Sequence, residues 1–361
     1  MGLHEEPKSE LLLEDSKVDA LARQVERHRM PAEWEPHQGT WISWPKDPQT
    51  FPGDILPAVE RAYVELVSAL GRGEEVHVLV NDARSEARVA AMVRGGRVTF
   101  HRIRTVDVWV RDYGPTYVVG VRRAVVKWTF NAWGNKYDDL KADNEAGEAI
   151  AGESGLTVLR PGIVLEGGSI DVNGDGTMLT TEQCLLNQNR NPGMNRRRLE
   201  EIVYANLGVR NVVWLGRGIA GDDTDGHVDD IARFVGPRKV VVAVEPSGAD
   251  PNHGPLTENL KRLAASRDQD GRALEVTEIP MPSAVDGPEG RLPASHLNFY
   301  IGNDAVVVPT FAGESDKLAV RCLQEAFPRR EVVGIDCRAL VYGLGTLHCV
   351  TQQIPSPESH L

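Results

Sequence analysis

A chain of 361 residues, 41% apolar and 25% charged, has the composition of a folded globular protein and can bury a large core, as two domains or as one closed architecture. Its formal net charge of −12 argues against a nucleic-acid partner, whose phosphates call for Lys and Arg, and is permissive for a cationic substrate. No apolar run reaches the roughly 18 residues of a membrane span, and the acidic start MGLHEEPKSELLLEDSKVDALARQ lacks the basic region and apolar core of a signal peptide.

A cytoplasmic setting is therefore expected, with no membrane partner, in which Cys184, Cys322, Cys337 and Cys349 stay reduced. The first 28 residues and the tail IPSPESHL carry the weakest patterning. Residues 1–28 are expected to form a helical or mobile extension, and residues 29–361 a single catalytic domain.

In chain order, helical patterns cover residues 54–70 and 83–93, and others start near Asp138, Asn195, Gly254 and Ser315, the last behind a Ser cap. Between them stand β-rich runs: GTWISW, EVHVLV, GRVTFHRI, RAVVKWTF, NVVWLG, KVVVAVE, ALEVTEI, HLNFYIGNDAVVVPTF, EVVGI and HCVTQQI. The last four helix starts are 57, 59 and 61 residues apart, which points to a repeated strand-and-helix unit. Units of this kind stack around a common centre and bring strand ends together there. A doubly wound α/β sheet is the rival architecture.

The stretch DVNGDGTMLTTE satisfies an EF-hand pattern, with Asp171, Asn173, Asp175, Gly176 and Glu182 at positions 1, 3, 5, 6 and 12. An EF-hand loop needs a helix on each side, whereas GGSI and TMLTTEQCLL read as strands. A tight hairpin turn is expected instead, in which Asp171, Asn173 and Asp175 serve turn geometry and solvation. No metal ligand is assigned.

Four polar clusters stand at strand ends or in glycine-rich turns: VWVRDYGP, LEGGS, GDDTDGHVDD and GLGTLHCVTQQ. Asp112 could merely open a turn and Glu166 could be a solvated strand end. His227 and Asp229 alternate onto one face if the segment is extended. Cys184, Cys322 and Cys337 lie in strand or helix patterns and read as small buried residues, whereas Cys349 follows a glycine-rich turn that lets a thiol meet solvent and substrate.

A thiol, a histidine and three carboxylates make a poor kit for acyl transfer, because the carboxylates repel a developing oxyanion. They suit a cationic electrophile. A guanidinium can be held by a carboxylate on each of two edges, so that a thiolate approaches its carbon from above. The Cys349 thiolate, favoured by a nearby imidazolium and by the substrate's charge, attacks; His227 protonates the departing nitrogen and then activates water. A Glu beside His227 would raise its pKa. No metal or organic cofactor is needed.

The motifs MPAEWEPHQGTWISWP, VRDYGPTYV, WTFNAWGNKY, LEGGSIDVNGDGTMLTTE, DDTDGHVDDIARFV, LNFYIGN and HCVTQQIP, in this order over most of the chain, resemble the agmatine deiminases and the related bacterial peptidylarginine deiminases. That resemblance implies a pentein fold, a pseudo-five-fold α/β propeller with its site on the axis. It implies Cys349 as nucleophile, His227 as general acid and base, Asp112 and Asp229 as guanidinium ligands, Glu166 as third carboxylate, and Trp109 in the substrate channel. The implied reaction is hydrolysis of agmatine to N-carbamoylputrescine and ammonia, a step toward putrescine and the polyamines, and a homodimer is expected. Leu344, Thr346 and His296 depart from the family's pattern, which bears on the distal end of the substrate.

Two rivals belong to other classes. Asp225-Gly-His227-Val-Asp229 resembles the metal motif of manganese ureohydrolases, but their second aspartate cluster is missing and HCVTQQ would go unexplained. A calcium-binding module rests on the single loop at residue 171. Within the deiminase reading, arginine calls for a cation opposite its α-carboxylate, agmatine for an acidic or apolar distal pocket, and a protein substrate for an open groove.

Overall fold

The computed structural model describes residues 28–93 and 95–357, so the expected extension lies outside the described residues except at His28. Five sheets follow one order of elements. In the simplest, Asp171–Val172 runs antiparallel to Thr177–Thr181, which is parallel to Asn211–Leu215. A parallel pair needs a crossover of a dozen or more residues, and helix Arg196–Leu207 supplies it.

The same order recurs with Ala232–Phe234, Lys239–Val244 and Glu275–Pro280 around helix His253–Ala265. It recurs with Tyr300–Ile301, Ala305–Thr310 and Glu331–Asp336 around helix Glu314–Ala326. Thr116–Gly120, Ala124–Val126 and Thr157–Leu159 repeat it around helix Asp143–Glu153, and His28–Arg29 adds an edge. The fifth sheet joins the chain's two ends: Thr351–Pro355 lies antiparallel to His37–Ser43, which is parallel to Glu75–Leu79 across helix Ile55–Leu70. Helix Ala83–Met92 then leads to Val98–His101, the sheet's other edge. Ile354 and Pro355 of the expected mobile tail are thus strand residues.

Central strands read as continuous apolar runs because both faces are covered; Val240 to Ala243 are all buried. Most helix starts fall within a residue or two of the sequence expectation. The one placed at Asp138 begins at Asp143, because a short 3-10 turn at Leu140–Ala142 comes first. The cap expected at Ser315 is instead Gly313, whose N–H donates to Asp316. Among the described residues no helix is long and apolar enough to cross a membrane.

The DVNGDG stretch is a hairpin, with Asn173 Oδ1 accepting from the backbone N–H groups of Asp175 and Thr177. Its flanks are not both strands: Gly167–Ser169 is a 3-10 turn, and Thr177–Thr181 passes into helix Glu182–Leu185, capped by the Thr181 hydroxyl. Asp171 does not serve solvation either; it is buried and accepts from Arg233 Nε at 3.1 Å and Phe234 N at 2.6 Å. Glu182 pairs with Arg196 and Arg262 at the far end of the strand, so the carboxylates of the calcium pattern do not converge.

Candidate active site

Each of the five sheets has a tight turn just before its first strand, and each turn carries a polar side chain inward. Asp112 sits in the four-residue helix Val110–Tyr113, ahead of Thr116–Gly120. Glu166 precedes the 3-10 turn Gly167–Ser169, ahead of Asp171–Val172. His227 and Asp229 belong to the 3-10 turn Val228–Asp230, so the two side chains converge through a turn rather than along an extended segment. Asn298 stands two residues before Tyr300–Ile301, and Cys349 two before Thr351–Pro355.

These side chains meet. His227 Nδ1 lies 3.8 Å from Asp112 Oδ1 and its Nε2 4.0 Å from Glu166 Oε2, while Cys349 Sγ is 3.8 Å from Asp229 Oδ2. Asp112 receives Trp133 Nε1 at 2.8 Å and the Gly168 N–H at 2.9 Å. Gly168 packs closely against three of these groups: a Cβ there would come within 2.5 Å of His227 Nδ1 and 3.0 Å of both Asp112 and Asp229, so the turn has no room for a side chain. All five residues expected to do the chemistry therefore border one point. Trp109, expected in a channel, stands at its rim and donates its indole N–H to Asp107 at 2.9 Å.

The rim opens into a cavity of about 320 Å³ that reaches Cys349, Asp112 and Trp109. Asp47, Asp107, Asp139 and Asp223 line it, with Trp133, Tyr137 and Tyr342, and among the described residues no Lys or Arg does. Gly345 passes between the Trp109 ring and Sγ, where a Cβ would lie 2.6 Å from one and 3.2 Å from the other.

The family model described as Porphyromonas-type peptidyl-arginine deiminase matches residues 29–355. The chain belongs to that family. It is similar to the agmatine deiminase of Stutzerimonas stutzeri, 39% identical over 91% of this chain and 95% of that protein. Among solved structures, an agmatine deiminase of Enterococcus faecalis superposes with a TM-score of 0.87 at 32% identity, over 92% of this chain and 97% of that one. A C. jejuni agmatine deiminase with a cysteine-to-serine change and substrate bound gives a TM-score of 0.82 at 29% identity, over 91% and 96%. The fold is the α/β, pentein-type fold of these deiminases.

The electrostatics of this deiminase-family site are set by burial and by its carboxylates. Burial pushes the Cys349 thiol well above its usual range, and Asp229, Asp230 and Asp112 push the same way; the Asn298 amide, 3.1 Å from Sγ, works against them. In the free protein burial and these carboxylates hold the thiol protonated at neutral pH, so the expected thiolate depends on the substrate's charge as well as on the imidazolium. For His227 burial works downward, yet Asp112, Cys184 and Asp229 hold the imidazolium well above its ordinary value. Glu166, whose Oε2 lies 4.0 Å from His227 Nε2, is also ion-paired with Arg190 at 2.8 Å. Burial raises the Asp112 carboxyl against the pull of His227. The Asp229 carboxyl stays low despite its burial, because His348 hydrogen-bonds to it.

Sequence reasoning missed a second circle of residues. His348 Nδ1 meets Asp229 Oδ2 at 2.7 Å and its Nε2 meets Glu33 Oε2 at 2.8 Å, a string of groups directly behind the nucleophile. Asn298 Oδ1 accepts from the Thr346 hydroxyl at 2.8 Å and from the His348 and Cys349 N–H groups at 3.0 and 3.3 Å. Glu33 and Asn298 stand in MPAEWEPH and LNFYIGN, and that setting was the available signal. Cys184 was read as a small buried residue; it is fully buried, and it lies against His227 and Glu166.

Proposed function

We propose that this chain hydrolyses agmatine to N-carbamoylputrescine and ammonia through a covalent adduct on Cys349. The observation that carries the reading is the cavity: acidic and aromatic along its length, with no Lys or Arg among the described residues lining it to meet an α-carboxylate. It suits a substrate with a cation at each end. The names carried by the relatives point the same way.

The guanidinium enters from the cavity that reaches Asp112 and Cys349, and Asp112 and Asp229 each take one edge in charge-assisted bonds worth about 1.5 to 3 kcal/mol apiece. Its positive charge offsets the carboxylates that hold the Cys349 thiol protonated, so the thiolate forms when substrate arrives. The thiolate adds to the guanidinium carbon, His227 gives its proton to one nitrogen, and ammonia departs to leave a thiouronium. Neutral His227 then takes a proton from water, whose oxygen displaces sulfur and leaves the carbamoyl product. Glu166 and Arg190 keep the far side of His227 polar, and the Glu33–His348 string orients Asp229.

The same reading takes residues 29–361 as one catalytic domain and the five repeated sheets as blades of a pseudo-five-fold propeller, with a putrescine-forming role in the cytosol. The family match over residues 29–355 and the recurring strand order support it. Steady-state turnover of agmatine, arginine and a peptidyl arginine on one preparation tests the substrate. Agmatine is expected to lead in kcat/KM by at least about 100-fold over arginine, whose carboxylate meets aspartates. Equal or better turnover of arginine overturns the assignment. Cys349→Ser is expected to abolish turnover while calorimetry still records agmatine binding.

A further inference from the structure

Glu166, Cys184 and His227 offer one ligand atom each, an oxygen, a sulfur and a nitrogen, all within 4.8 Å of one another. The three side chains are at most 1% exposed. Glu166 Oε2 and both ring nitrogens of His227 have no hydrogen-bond partner, although burying polar atoms unpartnered is costly. The fold holds Cys184 there on purpose-built supports: the Thr181 hydroxyl caps its helix, accepting from Cys184 N at 3.2 Å, and donates to Gly226 O, next to His227, at 2.6 Å. Beyond helping to hold the His227 imidazolium, this thiol takes no part in the reaction described above.

We propose that Glu166, Cys184 and His227 form a binding site for a soft divalent cation of the zinc type, and that the bound ion arrests the enzyme. Thiolate, imidazole and carboxylate are a zinc donor set, and three protein ligands leave one position for water. The 4.0 Å between His227 Nε2 and Glu166 Oε2 has to close only to about 3.3 Å, the separation of two ligands on a tetrahedral ion with bonds of about 2.0 Å. Thiolate and carboxylate neutralise the ion's two charges. Arg190, which donates to the other Glu166 oxygen at 2.8 Å, fixes that carboxylate as a second sphere does in metal sites. Asp112, 3.8 Å from His227 on the cavity side, gives an incoming cation an anionic path from the mouth.

The arrest follows from ligand identity and rests on the deiminase reading above. Bound through Nε2, His227 keeps only a neutral Nδ1–H, a far weaker acid than the imidazolium the departing nitrogen needs, and a dication beside Asp112 repels the guanidinium. Binding displaces two protons to solvent, one from the Cys184 thiol and one from the His227 imidazolium, and forms metal–sulfur and metal–nitrogen bonds, with no change of oxidation state.

Cobalt(II) is the probe, because a thiolate on cobalt gives a near-ultraviolet charge-transfer band. With Cys349→Ala removing the competing cavity thiol, titration is expected to give one equivalent of that band. The band is expected to vanish in Cys349→Ala/Cys184→Ser, a nearly isosteric change checked for folding by circular dichroism. With Cys349 intact, zinc is expected to inhibit agmatine turnover reversibly, restored by chelator, and Cys184→Ser to raise the half-inhibiting concentration at least about tenfold. No band in Cys349→Ala, or an equal band in both variants, means the metal sits elsewhere and overturns the site. Because the band needs no substrate, it survives failure of the deiminase reading, and turnover of agmatine survives failure of the metal site.

Discussion

Cys349 shows how far one residue's environment departs from its type. Exposed thiols ionise near pH 8.5, but here burial and three aspartates hold the proton on sulfur. In the free protein, alkylation of Cys349 by iodoacetamide, followed by peptide mass mapping, is therefore expected to be slow at pH 7. Its rate is expected to climb about tenfold per pH unit up to pH 9, as the thiolate fraction rises. A fast rate already flat at pH 7 would contradict the assignment. Gly168 gives a second test, because a Cβ there would press on His227, Asp112 and Asp229 at 2.5 to 3.0 Å. Gly168→Ala is expected to cut kcat/KM at least about 100-fold by displacing these side chains, with folding retained. Turnover near that of the parent chain would show that the placement of these three groups does not govern the reaction.

At the scale of elements, one device recurs: a tight turn ahead of each sheet's first strand. Four of the turns were legible because Asp, Glu, His or Cys beside glycine announces chemistry. The fifth carries Asn298, which looks like any polar residue in LNFYIGN; its work comes from Thr346, His348 and Cys349, some fifty residues away. Glu33 was hidden for the same reason, since its partner His348 lies 315 residues on. Strands and helices were legible from periodicity, but their ends were set by caps such as Gly313 with Asp316 and Thr181 with Cys184, which periodicity does not report. Asn298→Ala leaves the buried Thr346 hydroxyl and Cys349 N–H unpaired, while the His348 N–H keeps the Asn298 backbone carbonyl, and is expected to cost about 1–3 kcal/mol in urea unfolding. Its kcat is expected to fall at least about tenfold with little change in KM, because the amide faces sulfur and not the cavity. A change in KM alone would deny it that role.

The molecule as a whole is tied at its centre by charges drawn from several sheets. Glu33 accepts from Arg233 at 2.9 Å, Arg111 at 3.3 Å and the Ile301 N–H at 2.9 Å, and it meets His348 at 2.8 Å. Arg233, fully buried, also donates to Asp171 and to the Leu297 and Phe299 carbonyls. One carboxylate thus bonds groups from the turn before the last strand, from the helix Val110–Tyr113 and from strand Ala232–Phe234. Burial works to raise the Glu33 carboxyl, but Arg233, His348 and Arg111 together hold it well below the usual carboxylate range. A carboxyl lowered by folding adds stability above its unfolded value of about 4.3, and that stability is lost as pH falls through the folded value. Glu33→Ala takes one of two carboxylates from buried Arg233, leaving it Asp171, and also removes a partner of Arg111 and His348; it is expected to cost about 3–5 kcal/mol. Glu33→Gln keeps the shape without the charge; its urea midpoint is expected to sit lower at pH 7 and to change less than the parent's between pH 5 and pH 3. Parallel acid limbs in the two proteins would show that Glu33 binds its proton alike folded and unfolded, and that the central charges do not hold the sheets together.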